Sequence, residues 1–289
     1  MGKVMIIGAG FMGTGIAQVC AQTGYQVKLI DNRKKALRAA GENISDSLQK
    51  MFSRGQLSEH PPAILERIRY EEDYADAAKM QWIIEAVTEK ESIKRHLLID
   101  LDRMTDAEVP LASNTSSIPI SLLAKGLRYP ERLLGLHFFG PVPLMELVEV
   151  IQSSRTSNAI FERGIAFVRA LGKHPVRVGG DIPGFVMNRV FAAAFRECLE
   201  LVTAGVACVE DIDAGMRLGY GWKAGPFEIA DNAGIDTILN VSRSLKSLGE
   251  HHLAADTDVL EKMVARGRLG RKSGRGFYSY DVGGRKKAV

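Results

Sequence analysis

The sequence predicts an α/β fold, a doubly wound and largely parallel sheet followed by an all-helical C-terminal domain. Three observations carry that reading. Apolar runs alternate with helical periodicity through residue 181. A glycine turn of the form G-x-G-x-x-G joins the first run to the first helical pattern, and an acid closes the second run. Beyond Asp181-Ile182-Pro183-Gly184, helical patterns follow one another with no evident sheet run. The boundary therefore falls near Asp181, with domains 1–181 and 182–289.

Val4-Met5-Ile6-Ile7 reads as the first strand and leads into Gly8-Ala9-Gly10-Phe11-Met12-Gly13. Gly8 permits a tight turn, and Gly10 lets backbone N–H groups approach a pyrophosphate. Gly13 allows a helix over 13–22 to pack closely on the strand, with its N-terminus favouring negative charge. Val27-Lys28-Leu29-Ile30 is the next strand, and Asp31 closes it. This is a Rossmann-type dinucleotide signature. Asp31 can accept from both hydroxyls of an adenosine ribose and repels a 2′-phosphate, so NAD is favoured over NADP. Arg33, Lys34 and Lys35 pull the other way, since basic residues there can receive a 2′-phosphate; the blander reading is a solvated first turn of the next helix.

That helix spans 36–52, with Leu37, Ile44, Leu48 and Met51 on one face. Strands follow at 82–87, 110–112, 133–139 and 147–151, and a helix begins at Glu91. A helix over 159–171 is stopped by Gly172 and followed by His174-Pro175-Val176. In the second domain 185–204, 209–218, 235–248 and 255–265 suit helices, and the tail 283–289 reads as loose.

Composition excludes several classes. Hydrophobic content of 46% and charged content of 25% describe an ordinary globular protein. A net charge of +4 with no basic block makes nucleic acid an unexpected partner. No stretch reaches the roughly 18–20 apolar residues of a membrane span. The first strand starts so close to Met1 that no targeting peptide is expected. Cys20, Cys198 and Cys208 are too scattered for a disulfide framework or zinc site, and all lie in apolar helical patterns, so a metal is not expected and a reducing, cytoplasmic setting is.

Candidate site residues cluster past strand ends, where open α/β sheets place ligands. Thr88-Glu89-Lys90 follows one strand, and Ser113-Asn114-Thr115-Ser116-Ser117 follows another. Taken alone, Asn114–Ser117 would be a turn or helix cap more often than a site. His137 and Glu149 are more telling. Each sits inside an apolar strand, and they are equidistant from Pro143 in the intervening Gly140-Pro141-Val142-Pro143. If the strands return antiparallel around that turn, imidazole and carboxylate face each other, a base with its orienter. A lone buried histidine is more often a core residue, but a buried unpaired carboxylate is costly. Asn188 shares a helical face with Phe185, Phe191 and Phe195. Its amide suits either a helix-to-helix hydrogen bond or a substrate held between domains.

At these residues the chain resembles the L-3-hydroxyacyl-CoA dehydrogenase family, which includes 3-hydroxybutyryl-CoA dehydrogenases. The likeness runs nearly end to end, through the glycine turn, Glu85-Ala86-Val87-Thr88-Glu89, Ala112-Ser113-Asn114-Thr115-Ser116-Ser117 and Gly135-Leu136-His137-Phe138-Phe139. It continues in Leu147-Val148-Glu149-Val150, Pro183-Gly184-Phe185 with Asn188-Arg189, Gly225-Pro226-Phe227-Glu228 and Gly274-Arg275-Gly276-Phe277-Tyr278. The resemblance implies an NAD-dependent oxidoreductase interconverting 3-hydroxyacyl-CoA and 3-ketoacyl-CoA. It implies His137 as the base taking the 3-hydroxyl proton, Glu149 as its orienter, and Ser116 and Asn188 as holders of the substrate oxygens. Gly8, Gly10, Phe11, Met12, Gly13, Asp31, Glu89, Lys94 and Asn114 fall at cofactor positions, and Ser47 and Arg54 at coenzyme A positions, Arg54 standing where the family often has lysine.

Three departures from the family pattern stand out. Gly140 replaces a usual asparagine, Lys90 replaces another, and Lys223-Ala224 precede Gly225 where Pro-Met is typical. All three bear on acyl preference, and Gly140 on how firmly the turn aims His137. The rival readings are a sugar-acid or small hydroxy-acid dehydrogenase of the gulonate dehydrogenase and lens crystallin kind, and a non-catalytic NAD-binding protein. The 3-hydroxyisobutyrate dehydrogenase group fits less well, because it uses Lys and Asn four residues apart on a helix, and 185–195 offers Asn188 without such a lysine. Apolar faces on the later helices predict a homodimer through the second domain.

Overall fold

The computed structural model describes residues 2–287; the last two residues of the predicted loose tail lie outside the described residues. Its strands are β1 (Lys3–Ile7), β2 (Gln26–Ile30), β3 (Ile68–Glu71), β4 (Trp82–Glu85), β5 (Leu111–Ser113), β6 (Leu133–Phe138), β7 (Leu147–Ile151) and β8 (His174–Val178). Interleaved are helices α1 (Phe11–Gln22), α2 (Lys34–Ser53), α3 (Pro61–Leu65), α4 (Glu91–Met104), α5 (Ile120–Leu123) and α6 (Asn158–Ala170). The chain continues through α7 (Met187–Thr203), α8 (Val209–Tyr220), α9 (Pro226–Ala233), α10 (Ile235–Ser247) and α11 (Thr257–Ala265). One compact unit runs to Ile182 and a second begins at Pro183.

The strands make one sheet in the order β3-β2-β1-β4-β5-β6-β7-β8. All neighbours are parallel except β6 and β7, which run antiparallel. The order reverses between β1 and β4, the switch point at which doubly wound sheets open a crevice for ligands. Val4, Ile6, Leu29, Ile84, Ala112, Leu136 and Val150 form the buried heart of this unit, with Ile16, Ala17 and Cys20 of α1 packed against it. Burial pushes the Cys20 thiol up to about 12, so it packs as a small apolar group.

Two strands, β3 and β8, and three short helices, α3, α5 and α9, were not expected from the sequence. β3 and β8 are the sheet's edges, where one flank meets water and apolar content is not required. Pro175 near the start of β8 is tolerated because an edge strand can do without that N–H. Short α9 starts on Pro226 beneath a Gly225 cap.

In the second unit Phe195, Phe227, Ile235, Leu239 and Leu260 form the core. Two buried aspartates tie the C-terminal segment to it. Asp213 accepts from the Phe227 and Glu228 N–H groups and the Tyr278 hydroxyl. Asp231 accepts from the Phe277 and Tyr278 N–H groups and the Tyr280 hydroxyl. The predicted loose tail is tied back as far as Lys287, whose N–H bonds Ser279 O. Two further expectations need correction. The helix predicted from residue 185 starts at Met187, because buried Phe185 has φ 50°, outside the helical region. Cys208 lies outside an apolar helical face: it is exposed at the N-cap of α8, where its sulfur accepts from the Asp211 N–H.

Candidate active site

The glycine turn sits at the switch point and is forced by close backbone approach. Gly8 has φ 109°, and a Cβ there would lie 2.5 Å from Ala86 O at the end of β4. A Cβ on Gly13 would lie 1.8 Å from Gly8 O, so helix and turn meet only without a side chain. Gly10 differs: an added Cβ meets nothing within 4 Å. No side chain caps the first turn of α1, which contains Phe11 and Met12. An open space, uncapped amides and the positive end of a helix dipole fit a pyrophosphate. Asp31 at the end of β2 accepts from the Ala9 N–H at 2.9 Å and pairs with Arg33, so the acid is built into the same turn. Its carboxyl is held below its ordinary value: burial pushes it up, and the Arg33 side chain with the Ala9 and Arg33 amides more than offset that.

Antiparallel pairing sets His137 of β6 directly opposite Glu149 of β7. The His137 Nδ1 lies 2.7 Å from Glu149 Oε2, and Glu149 is 0% exposed. A carboxylate there fixes Nδ1 as the N–H, which makes Nε2 the basic nitrogen. The Phe139 ring lies 4.5 Å from the imidazole, centroid to centroid.

The connection between these strands is firmly held. Lys173 donates to Val142 O and Met145 O at 2.7 and 2.6 Å. A Cβ on Gly15 of α1 would come 2.8 Å from the Val142 Cβ, so α1 packs on this loop. Gly140 also lies close to the glycine turn: an added Cβ would stand 2.5 Å from the Phe11 ring. Phe11 itself is 70% exposed.

Glu89 organises the second loop. Its Oε1 accepts from the Thr115 hydroxyl at 2.6 Å, the Ser116 N–H at 3.0 Å and the Ser117 N–H at 3.2 Å. Behind it, Lys94 is 1% exposed and lies 2.7 Å from Glu85 Oε1 and 3.2 Å from Glu89 Oε2. Glu85 also accepts from the Ser113 hydroxyl and the Val87 N–H. The Glu89 carboxyl is held below the usual glutamate value: burial raises it, and the Lys94 charge with the Thr115 and Ser116 bonds prevails. Asn114 accepts the Phe138 N–H at 2.9 Å through its side-chain oxygen, fixing the strand next to His137.

The structure thus gathers Gly8, Gly10, Phe11, Met12, Gly13 and Asp31 at one end of the sheet, and Glu89, Lys94, Asn114 and Ser116 around the β4 and β5 ends. Lys94 and the Asn114 carbonyl are turned inward onto protein partners. Ser47 is half-buried on α2, and Arg54 caps its C-terminus, exposed. Asn188 lies in the first turn of α7, half-buried, on the face of Phe191 and Phe195. Sequence reasoning missed Glu85, Lys173 and the Arg33–Asp31 pair as site-builders. A carboxylate ending the apolar Trp82-Ile83-Ile84-Glu85 run was the one available signal. Among the described residues no group of three or more His, Cys, Asp or Glu could hold a metal, and no helix is long and apolar enough to cross a membrane.

Residues 3–182 match the model of the 3-hydroxyacyl-CoA dehydrogenase NAD binding domain, and 184–280 match that of the 3-hydroxyacyl-CoA dehydrogenase C-terminal domain. The chain belongs to the 3-hydroxyacyl-CoA dehydrogenase family. A probable 3-hydroxybutyryl-CoA dehydrogenase of Deinococcus radiodurans is 41% identical over 279 residues, 96% of this chain and 100% of that one. The human mitochondrial hydroxyacyl-coenzyme A dehydrogenase is 38% identical, covering 96% of this chain and 90% of its own. A crystal structure of (S)-3-hydroxybutyryl-CoA dehydrogenase from Ralstonia eutropha superposes with a TM-score of 0.89 at 38% identity, covering 96% of this chain and 99% of that one. Family membership makes the chain an NAD-dependent oxidoreductase. It supports the hydroxyacyl-CoA reading of the sequence and not the sugar-acid alternative.

Proposed function

We propose that this dehydrogenase interconverts a 3-hydroxyacyl-CoA and its 3-ketoacyl-CoA, with His137 as general base and acid. The observation that carries this is the buried 2.7 Å contact between His137 Nδ1 and Glu149 Oε2. In oxidation His137 Nε2 takes the 3-hydroxyl proton, and Glu149 stabilises the imidazolium that forms. In reduction the same nitrogen returns the proton to the ketone oxygen. The nicotinamide, when bound, exchanges hydride with C3 of the substrate. Ser116 and Asn188 hold the substrate oxygens, while Glu89 and Lys94 brace the loop of Ser116 beside the cofactor. Ser47 and Arg54 contact coenzyme A.

Replacing His137 with Gln is expected to abolish acetoacetyl-CoA-dependent NADH oxidation while NADH still binds. Turnover that survives would remove His137 from its role. The residues from 182 onward act as the substrate and dimerisation domain in this reading. Exposed Leu218, Tyr220 and Val206 support a homodimer through that unit, and a monomeric mass in solution would contradict it. Free Cys20, Cys198 and Cys208 support a reducing, cytoplasmic setting.

A further inference from the structure

Asp31 accepts four hydrogen bonds. Its Oδ2 takes the Ala9 N–H at 2.9 Å and Arg33 Nη2 at 3.2 Å. Its Oδ1 takes the Arg33 N–H and Arg33 Nε, both at 3.0 Å. A carboxylate has about four acceptor positions, so none is left for the ribose hydroxyls the acid is there to receive. Two of the donors are backbone amides fixed by the glycine turn and the start of α2. The other two belong to one guanidinium on a side chain 69% exposed. A ribose diol can therefore reach Asp31 only by displacing the Arg33 side chain.

A displaced guanidinium beside the ribose is a receptor for a 2′-phosphate. The neighbouring cations are less suited to that task. Lys34 pairs with Glu72 at 3.4 Å, and Lys28 is held by Glu71 and Asp76. Lys35 is exposed on the first turn of α2. We propose that Arg33 sets the discrimination at the adenosine ribose: paired with Asp31 it competes with the NAD diol, and swung outward it binds a 2′-phosphate, giving the chain NADPH as a second, weaker cofactor. This rests on the dinucleotide site described above.

Equilibrium binding of NADH and NADPH, read by nicotinamide fluorescence with no acyl-CoA present, tests it. The native chain should bind both, NADPH more weakly and with the steeper loss on adding salt. Arg33→Ala should tighten NADH about twofold, since an exposed ion pair no longer competes. The same change should weaken NADPH about tenfold, through loss of a charge-assisted contact. Asp31→Asn should shift preference toward NADPH, and Asp31→Asn/Arg33→Ala should lose that gain. The proposal is overturned by undetectable NADPH binding to the native chain, or by a ratio of the two affinities that Arg33→Ala leaves unchanged. It is equally overturned if Lys35→Ala moves that ratio and Arg33→Ala does not, or if the double variant keeps the full gain. A native chain that binds neither nucleotide removes the dinucleotide site itself, and this proposal with it.

Discussion

Lys94 is sealed between two carboxylates, 2.7 Å from Glu85 Oε1 and 3.2 Å from Glu89 Oε2. The first carboxylate is buried in the sheet and the second holds the loop of Ser116. The pair of contacts therefore links the sheet core to the proposed substrate contact through one ammonium. Removing that ammonium strands Glu85 as an uncompensated buried charge, a change that costs about 3–5 kcal/mol. Lys94→Met is expected to lower stability by that order in urea unfolding. Glu85→Gln/Lys94→Met should recover much of the loss. A double variant no more stable than Lys94→Met would show that shape, rather than charge, governs the site.

The glycine turn allows fold and binding to be separated. Gly13→Ala places a Cβ 1.8 Å from Gly8 O, so the helix must shift and both stability and NADH affinity should fall. Gly10→Ala adds its methyl to open space. Its melting temperature should stay near that of the native chain while NADH affinity drops about tenfold, because the methyl occupies the approach of the pyrophosphate. Unchanged affinity in Gly10→Ala would place the pyrophosphate elsewhere.

In the proposed mechanism Glu149 acts through His137. Glu149→Gln keeps the volume but loses the charge that fixes the tautomer and stabilises the imidazolium. Turnover should fall by roughly 10²- to 10⁴-fold with a much smaller change in KM. Steady-state kinetics with acetoacetyl-CoA and NADH provide the check. A loss confined to KM would mean that Glu149 serves binding rather than proton transfer.

Most of the sheet and the His137–Glu149 pair were legible in the sequence because each left a strong local mark. The glycine spacing reports a backbone collision at Gly8 and Gly13. His137 and Glu149 show themselves as polar intrusions in apolar runs, equidistant from the turn that pairs them. Edge strands left no such mark: Ile68-Arg69-Tyr70-Glu71 reads as a surface segment because one flank of β3 faces water. Phe185 was read as helical from its spacing, but its positive φ follows Pro183-Gly184 and no periodicity encodes it. The Arg33–Asp31 and Lys94–Glu85 pairs depend on where side chains fold back, and charge order along the chain does not specify that.

Acid should act on the Ser116 loop through Glu89. Its carboxyl is held below the ordinary 4.5 in the folded chain. Folding therefore gains from the ionised form at every pH above that ordinary value, and the gain is lost as pH falls through the lowered folded value. The native chain should exceed Glu89→Gln in stability near neutral pH, and the difference should shrink below 4.5. Urea midpoints of the two proteins across that range measure it. A difference that stays constant on acidification would mean that Glu89 holds the loop by hydrogen bonds that a neutral amide makes equally well.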